Sequence, residues 1–275
     1  MPHIPIEPID GIQTFQLERW NEFHSLTDQI AALRSQASFP TYIWRGQRDA
    51  GWSLSTTLDR LFERLGNLQS ASHTLEASAK SLLHSFQLAT RGRRGGSPPI
   101  LEEQEWWALG QHFGLATPLL DWTRSPYAAA YFAFFERGSA NNAADRAVYA
   151  LDTEAVVEKN EEIGDGPSLE TGRAPLVQVL DSVSNENARL VSQRGLFTRA
   201  PIGLPVEAWV ARNFEGVKEP VLIKVVLPDT DRIEALKALD RMNINHTSLF
   251  PDLTGASLAT NLEVELFPEG LRRNG

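Results

Sequence analysis

The run Tyr127-Ala128-Ala129-Ala130-Tyr131-Phe132-Ala133-Phe134-Phe135 narrows the choice of fold more than anything else in this chain. It reads as a helix with Ser125 as N-cap and Pro126 at the first helical position, where the missing N–H would have had no partner anyway. A helix apolar around its circumference cannot rest on a surface. It is expected to be buried on most sides and to form the core of its domain.

Apolar spacing predicts further helices over about Ser25 to Ser35, from a Thr56/Asp59 capping box through Leu58, Leu61, Phe62 and Leu65, over about Thr74 to Ala89, over Glu102 to Phe113, and over Asp231 to Met242. Short runs with strand character lie at Thr41 to Trp44, Leu119 to Thr123, Ala147 to Leu151, Arg189 to Ser192 and Val221 to Leu227. Pro2, Pro5, Pro8 and Gly11 predict an extended lead-in over residues 1–19, and residues 158–184 read as irregular surface. The expectation is one α+β domain over residues 1–275, with a small mixed sheet or sheets around the buried central helix.

The composition, 42% hydrophobic and 22% charged, suits a chain that buries a core. With no cysteine, disulfides, thiolate nucleophiles and zinc–thiolate sites are excluded. The six histidines include no i,i+4 pair, so no metal is expected. A formal charge of −9 opposes loose attraction to nucleic acid or anionic membranes. The glycine-rich loop with Arg91, Arg93 and Arg94 keeps nucleic acid open as a partner. No apolar run approaches the ~18 residues that span a bilayer. The opening residues Met1 to Pro8 have neither a basic n-region nor an apolar h-region. A cytoplasmic protein without a membrane partner is expected. Nucleophile elbows, Walker loops and Gly-x-Gly-x-x-Gly turns are missing from the sequence.

Just ahead of the core helix, the stretch from Gln111 to Pro126 sets Gln111, His112, Asp121, Thr123 and Arg124 within an apolar run. Buried polar groups need partners, which marks the stretch as a candidate site. Asp121 and Thr123, two apart on a strand, point to one side. The helix opening at Ser125 offers free N–H groups suited to an anion. Upstream, Tyr42-Ile43-Trp44-Arg45-Gly46-Gln47 supplies the planar fork of Arg45, a glycine that permits close approach of a ligand, and an amide at Gln47. A plainer reading stays open: Arg45 pairs with Asp121 to hold the fold, His112 is hydrogen-bonded scaffold, and Thr123 only caps.

These two stretches, with Thr247-Ser248-Leu249-Phe250-Pro251-Asp252-Leu253-Thr254-Gly255 as a third, resemble the FRG-domain family over roughly residues 20–260. Its pattern is an aromatic-Arg-Gly-Gln strand end, a Gln-His-x-Gly stretch running to Leu-Leu-Asp-Trp-Thr-x-Ser-Pro, and a Leu-Phe-Pro-Asp-Leu near the end. Trp44 stands where the family usually has Phe, and Pro118 where it usually carries arginine, so one cation of the pattern is missing. The order of an Arg-Gly strand end, a Thr-bearing strand and a helix beginning Ser-Pro is also similar to ADP-ribosyltransferases.

That second likeness implies NAD as the nucleotide substrate and cleavage of its N-glycosidic bond. Arg45 and the helix start at Ser125 would hold the phosphates, and Asp121 and Thr123 would orient the sugar. Gly46, Gln47, Gln111, His112 and Gln193 would complete the wall. It further implies a glutamate, for which Glu186, Gln193 and the Glu263-Val264-Glu265 tripeptide are candidates; the tripeptide also reads as a solvated strand edge. The family resemblance implies a toxin or phage-defence effector acting on an unidentified macromolecule. The alternative is a non-catalytic nucleotide- or protein-binding module whose Arg, Asp and Gln side chains form a structural network.

Overall fold

The computed structural model describes residues 8–33, 42–66, 72–137, 144–164, 175–181 and 193–268. Strands β1 (Ile12–Gln16), β2 (Tyr42–Gln47), β3 (Leu120–Thr123), β4 (Arg146–Asp152), β5 (Gln178–Leu180), β6 (Gly195–Arg199) and β7 (Leu222–Leu227) form one sheet in the order β1-β7-β4-β2-β3-β6-β5. The pairing of β1 with β7 is parallel and the rest are antiparallel. The fold is α+β, with one seven-stranded sheet.

The apolar run is helix α5 (Pro126–Phe134), capped by the Ser125 hydroxyl, which accepts from the Ala128 amide at 3.2 Å. Its small residues let it lie unusually close to the sheet. A Cβ on Gly46 would fall 1.9 Å from the Ala129 carbonyl oxygen and 2.6 Å from the Ala133 nitrogen. Helices α1 (Glu22–Ala32), α8 (Arg232–Arg241) and α10 (Leu253–Leu266) cover it, through Leu26, Ile30, Leu236, Leu239 and Leu266. The C-terminus of α5 is therefore buried, and its carbonyls still need donors. Two arginines supply them: Arg146 donates to Ala133 and Glu136, and Arg232 to Phe134 and Phe135.

The opposite face of the sheet is closed by α6 (Thr153–Gly164) and α7 (Val206–Asn213), which bring Val156, Trp209 and Val210 against Ile43, Tyr149 and Leu222. Beside β3 and β6, helices α2 (Thr57–Arg64), α3 (Ser72–Ala89) and α4 (Glu103–His112) enclose a third cluster around Leu58, Leu83, Trp107 and Phe197. The short α9 (His246–Leu249) completes the chain of elements.

Three expectations need correction. Residues 12–16 of the supposed lead-in are an edge strand, recruited by parallel pairing with β7 from Ile12↔Leu222 to Gln16↔Val226. The stretch read as irregular begins inside α6, a helix of which Ala155 and Val156 are buried; its charged side is what hid it. Glu263-Val264-Glu265 sits in α10 and not on a strand edge. The strand expected at Arg189 to Ser192 lies outside the described residues, and β6 begins at Gly195. No helix among the described residues is long and apolar enough to cross a membrane.

Candidate functional site

Arg45 stands near the end of β2, in register with Tyr149 of β4. Its Nη1 donates to the main-chain oxygen of Asp121 at 2.7 Å and lies 4.0 Å from the Asp121 carboxylate, while its buried Nε has no partner. Asp121 Oδ1 accepts from Gln111 Nε2 at 2.6 Å. Gln111 is oriented in turn by the Thr117 hydroxyl, which donates to its Oε1, and the Thr117 amide donates to the Thr57 hydroxyl at 2.9 Å. A line of hydrogen bonds thus runs from α2 through α4 to β3 and β2, fixing which way the Gln111 amide points.

These side chains meet at one concavity of about 350 Å³, within the range of ligand pockets. Arg45, Gly46, Gln111, His112, Asp121, Thr123 and Gln193 all line it, so residues from three distant stretches converge. The remaining wall is largely aromatic: Trp44, Trp122, Phe132, Phe197 and Phe250. A second concavity of about 560 Å³ shares Arg45, Gln111 and Asp121 with the first.

Residues 40–142 match the family model of the FRG domain. The resemblance to the FRG domain is thus supported over those residues. No curated protein and no solved structure matches the chain. The matched segment holds Arg45, Gln111, His112, Asp121 and Thr123, whereas Gln193 and Phe250 reach the same hollow from beyond it.

Gln47, expected in the wall, and Ser125, expected at the phosphates, stand outside the hollow. Gln47 is buried and donates to the Ser53 carbonyl at 3.1 Å. Ser125 uses its hydroxyl to cap α5. Gly46 does line the hollow, but the close approach it permits is that of α5. The Thr123 hydroxyl is engaged on both sides, donating to the Gln193 carbonyl at 2.7 Å and accepting from the Ser125 amide at 3.1 Å. It holds the Gln193 segment in place, and Gln193 Nε2 donates onward to the Leu249 carbonyl at 3.1 Å. His112 closes the last turn of α4, edge-on to Phe113.

Phe132, Phe197 and Phe250 were not singled out from the sequence as wall residues. Phe250 lay in the third motif, where it stacks on His246 with ring centroids 4.6 Å apart. His246 in turn bonds the Tyr131 hydroxyl at 2.5 Å, tying this wall to the core helix. Glu186 lies outside the described residues. Glu265 accepts from Arg232 and Arg137 and lines neither hollow. In the basic loop, Arg94 stacks on Trp106 at 4.7 Å and donates to the Pro99 carbonyl, and Arg93 donates to the Ala89 carbonyl. Among the described residues no group of three His, Asp or Glu side chains is placed to hold a metal ion.

The electrostatics of the pair are dominated by enclosure. Burial lowers the pKa of Arg45 against the pull of Asp121, and nearby Arg60 lowers it further. Enclosure raises the pKa of Asp121 above the usual carboxylate value, although Arg45 and the Gln111 hydrogen bond pull the other way. The Asp121 side chain nevertheless leaves 64% of its surface exposed. The result is a carboxylate open to a ligand and only partly neutralised by its cation.

Proposed function

We propose that this hollow is a nucleotide site that takes NAD, and that the protein is an ADP-ribosyltransferase-like enzyme passing ADP-ribose to water or to an acceptor. The observation that carries the reading is the meeting of Arg45 and Asp121 across one open, aromatic-walled concavity, with donor capacity left on the arginine. A ring system finds stacking partners in the aromatic wall. The guanidinium fork suits a phosphate or carboxylate oxygen pair.

In the reaction the C–N bond between ribose and nicotinamide breaks, the bonding pair leaves with nicotinamide, and positive charge develops on the sugar. The Asp121 carboxylate, held by Gln111, stabilises that charge. His112, on the same wall, takes the proton from the incoming hydroxyl.

A second reading has its own support. Arg45 donates to a main-chain carbonyl and Gln111 bridges Asp121 to Thr117, which is how a structural network in a binding module would look. Incubation with NAD separates the two. Release of free nicotinamide, lost by about 10²-fold or more in Asp121→Asn, supports the enzyme. Thermal stabilisation by NAD without turnover supports the module. Observation of neither nicotinamide release nor stabilisation by NAD would overturn both readings of NAD binding.

A further inference from the structure

Resting on the nucleotide reading, we infer that Arg60 and Arg64 of α2 form an anion subsite in the second hollow, where the phosphates of the ligand lie. The 350 Å³ hollow is near the lower limit of ligand pockets, room for a ring and its sugar but little more. A dinucleotide must extend beyond it. The adjoining 560 Å³ hollow is where the shared residues Arg45, Gln111 and Asp121 lead.

The charge there differs from that of the molecule at large. Arg45, Arg60 and Arg64 face Glu63 and Asp121, a local positive balance in a chain of net charge −9. Arg60 and Arg64 are four apart on one helix and so present on one face, next to Thr57. Arg60 Nη1 donates to the Ser55 carbonyl at 2.7 Å, which fixes the guanidinium near the start of α2. Among the described residues no carboxylate pairs with either arginine. The Arg45 guanidinium, 19% exposed, adds its charge where the two hollows meet. By contrast the α5 N-terminus, the other candidate for the phosphates, is capped by its own Ser125 and stands outside both hollows.

The test adds inorganic pyrophosphate, NAD and adenosine separately to the intact protein and to an R60Q/R64Q double variant, with affinity read by calorimetry at low and moderate salt. Both side chains are exposed, so the variant keeps the wild-type melt. About a tenfold or greater loss of affinity for pyrophosphate or NAD, with a weaker salt dependence and unchanged adenosine binding, supports the subsite. Pyrophosphate held through Arg60 and Arg64 while NAD is ignored keeps the subsite and sinks the NAD reading. Equal affinity of both proteins for pyrophosphate and NAD, or no affinity of the wild type for either, overturns the subsite.

Discussion

Asp121 and Arg45 are joined closely enough to feel each other and loosely enough to remain usable. If catalysis needs the Asp121 carboxylate, its raised pKa moves the acid limb of the rate profile upward. Activity should fall, as pH is lowered, at a midpoint above that of an ordinary aspartate; a midpoint at or below it would remove Asp121 from the chemistry. Arg45→Ala should abolish nucleotide binding and leave a cooperative melt; loss of the melt would favour the structural network. Arg45, Asp121, Gln111 and His112 were legible because polar residues interrupted apolar runs. Gln47 and Ser125 misled because a strand-end amide and a helix-cap hydroxyl look alike whether they face a ligand or their own backbone. Phe197 gave no signal, since an aromatic on a strand is ordinary core.

At the scale of elements, α5 was legible from composition alone, because nine apolar residues leave no face for water. What the residues ahead of it did not disclose is that Gly46 is the flat spot on which it rests. Gly46→Ala should cost about 3 kcal/mol, the upper end for overpacking, and lower Tm by roughly 6–12 °C. A thermal melt unchanged from wild type would mean that α5 shifts freely. The far end of the same helix depends on Arg232, which Glu265 holds in place. Burial alone would raise the Glu265 pKa, but Arg232 and Arg137 together bring it below the usual value. A depressed acid stabilises above its unfolded pKa and loses that contribution as pH falls through the folded one. Glu265→Gln should therefore lower Tm at neutral pH, by about 1–3 kcal/mol of stability, and the gap should close in acid. The tripeptide was misread as a strand because Glu-x-Glu fits an edge as well as a solvated helix, and no turn signal decides between them.

Over the whole molecule, the family-matched segment is not a self-sufficient body. Residues 40–142 contain β2, β3 and α5 but not α1, α8 or α10, which cover the core helix, nor β4 and β7, which carry the sheet onward. A fragment of those residues should show no cooperative melt, and one that melted sharply would show that the covering helices are dispensable. The alternation of helices and strands was readable, but the strand order was not, because pairings such as Ile12↔Leu222 join residues with no local signal for each other. That pairing has a kinetic price. During synthesis at roughly 5–20 residues per second, β1 leaves the ribosome about ten seconds or more before β7, its strand partner among the described residues, exists. Until then β1 has no ladder to join, so this border of the sheet is sealed only after nearly all the intervening elements have been made.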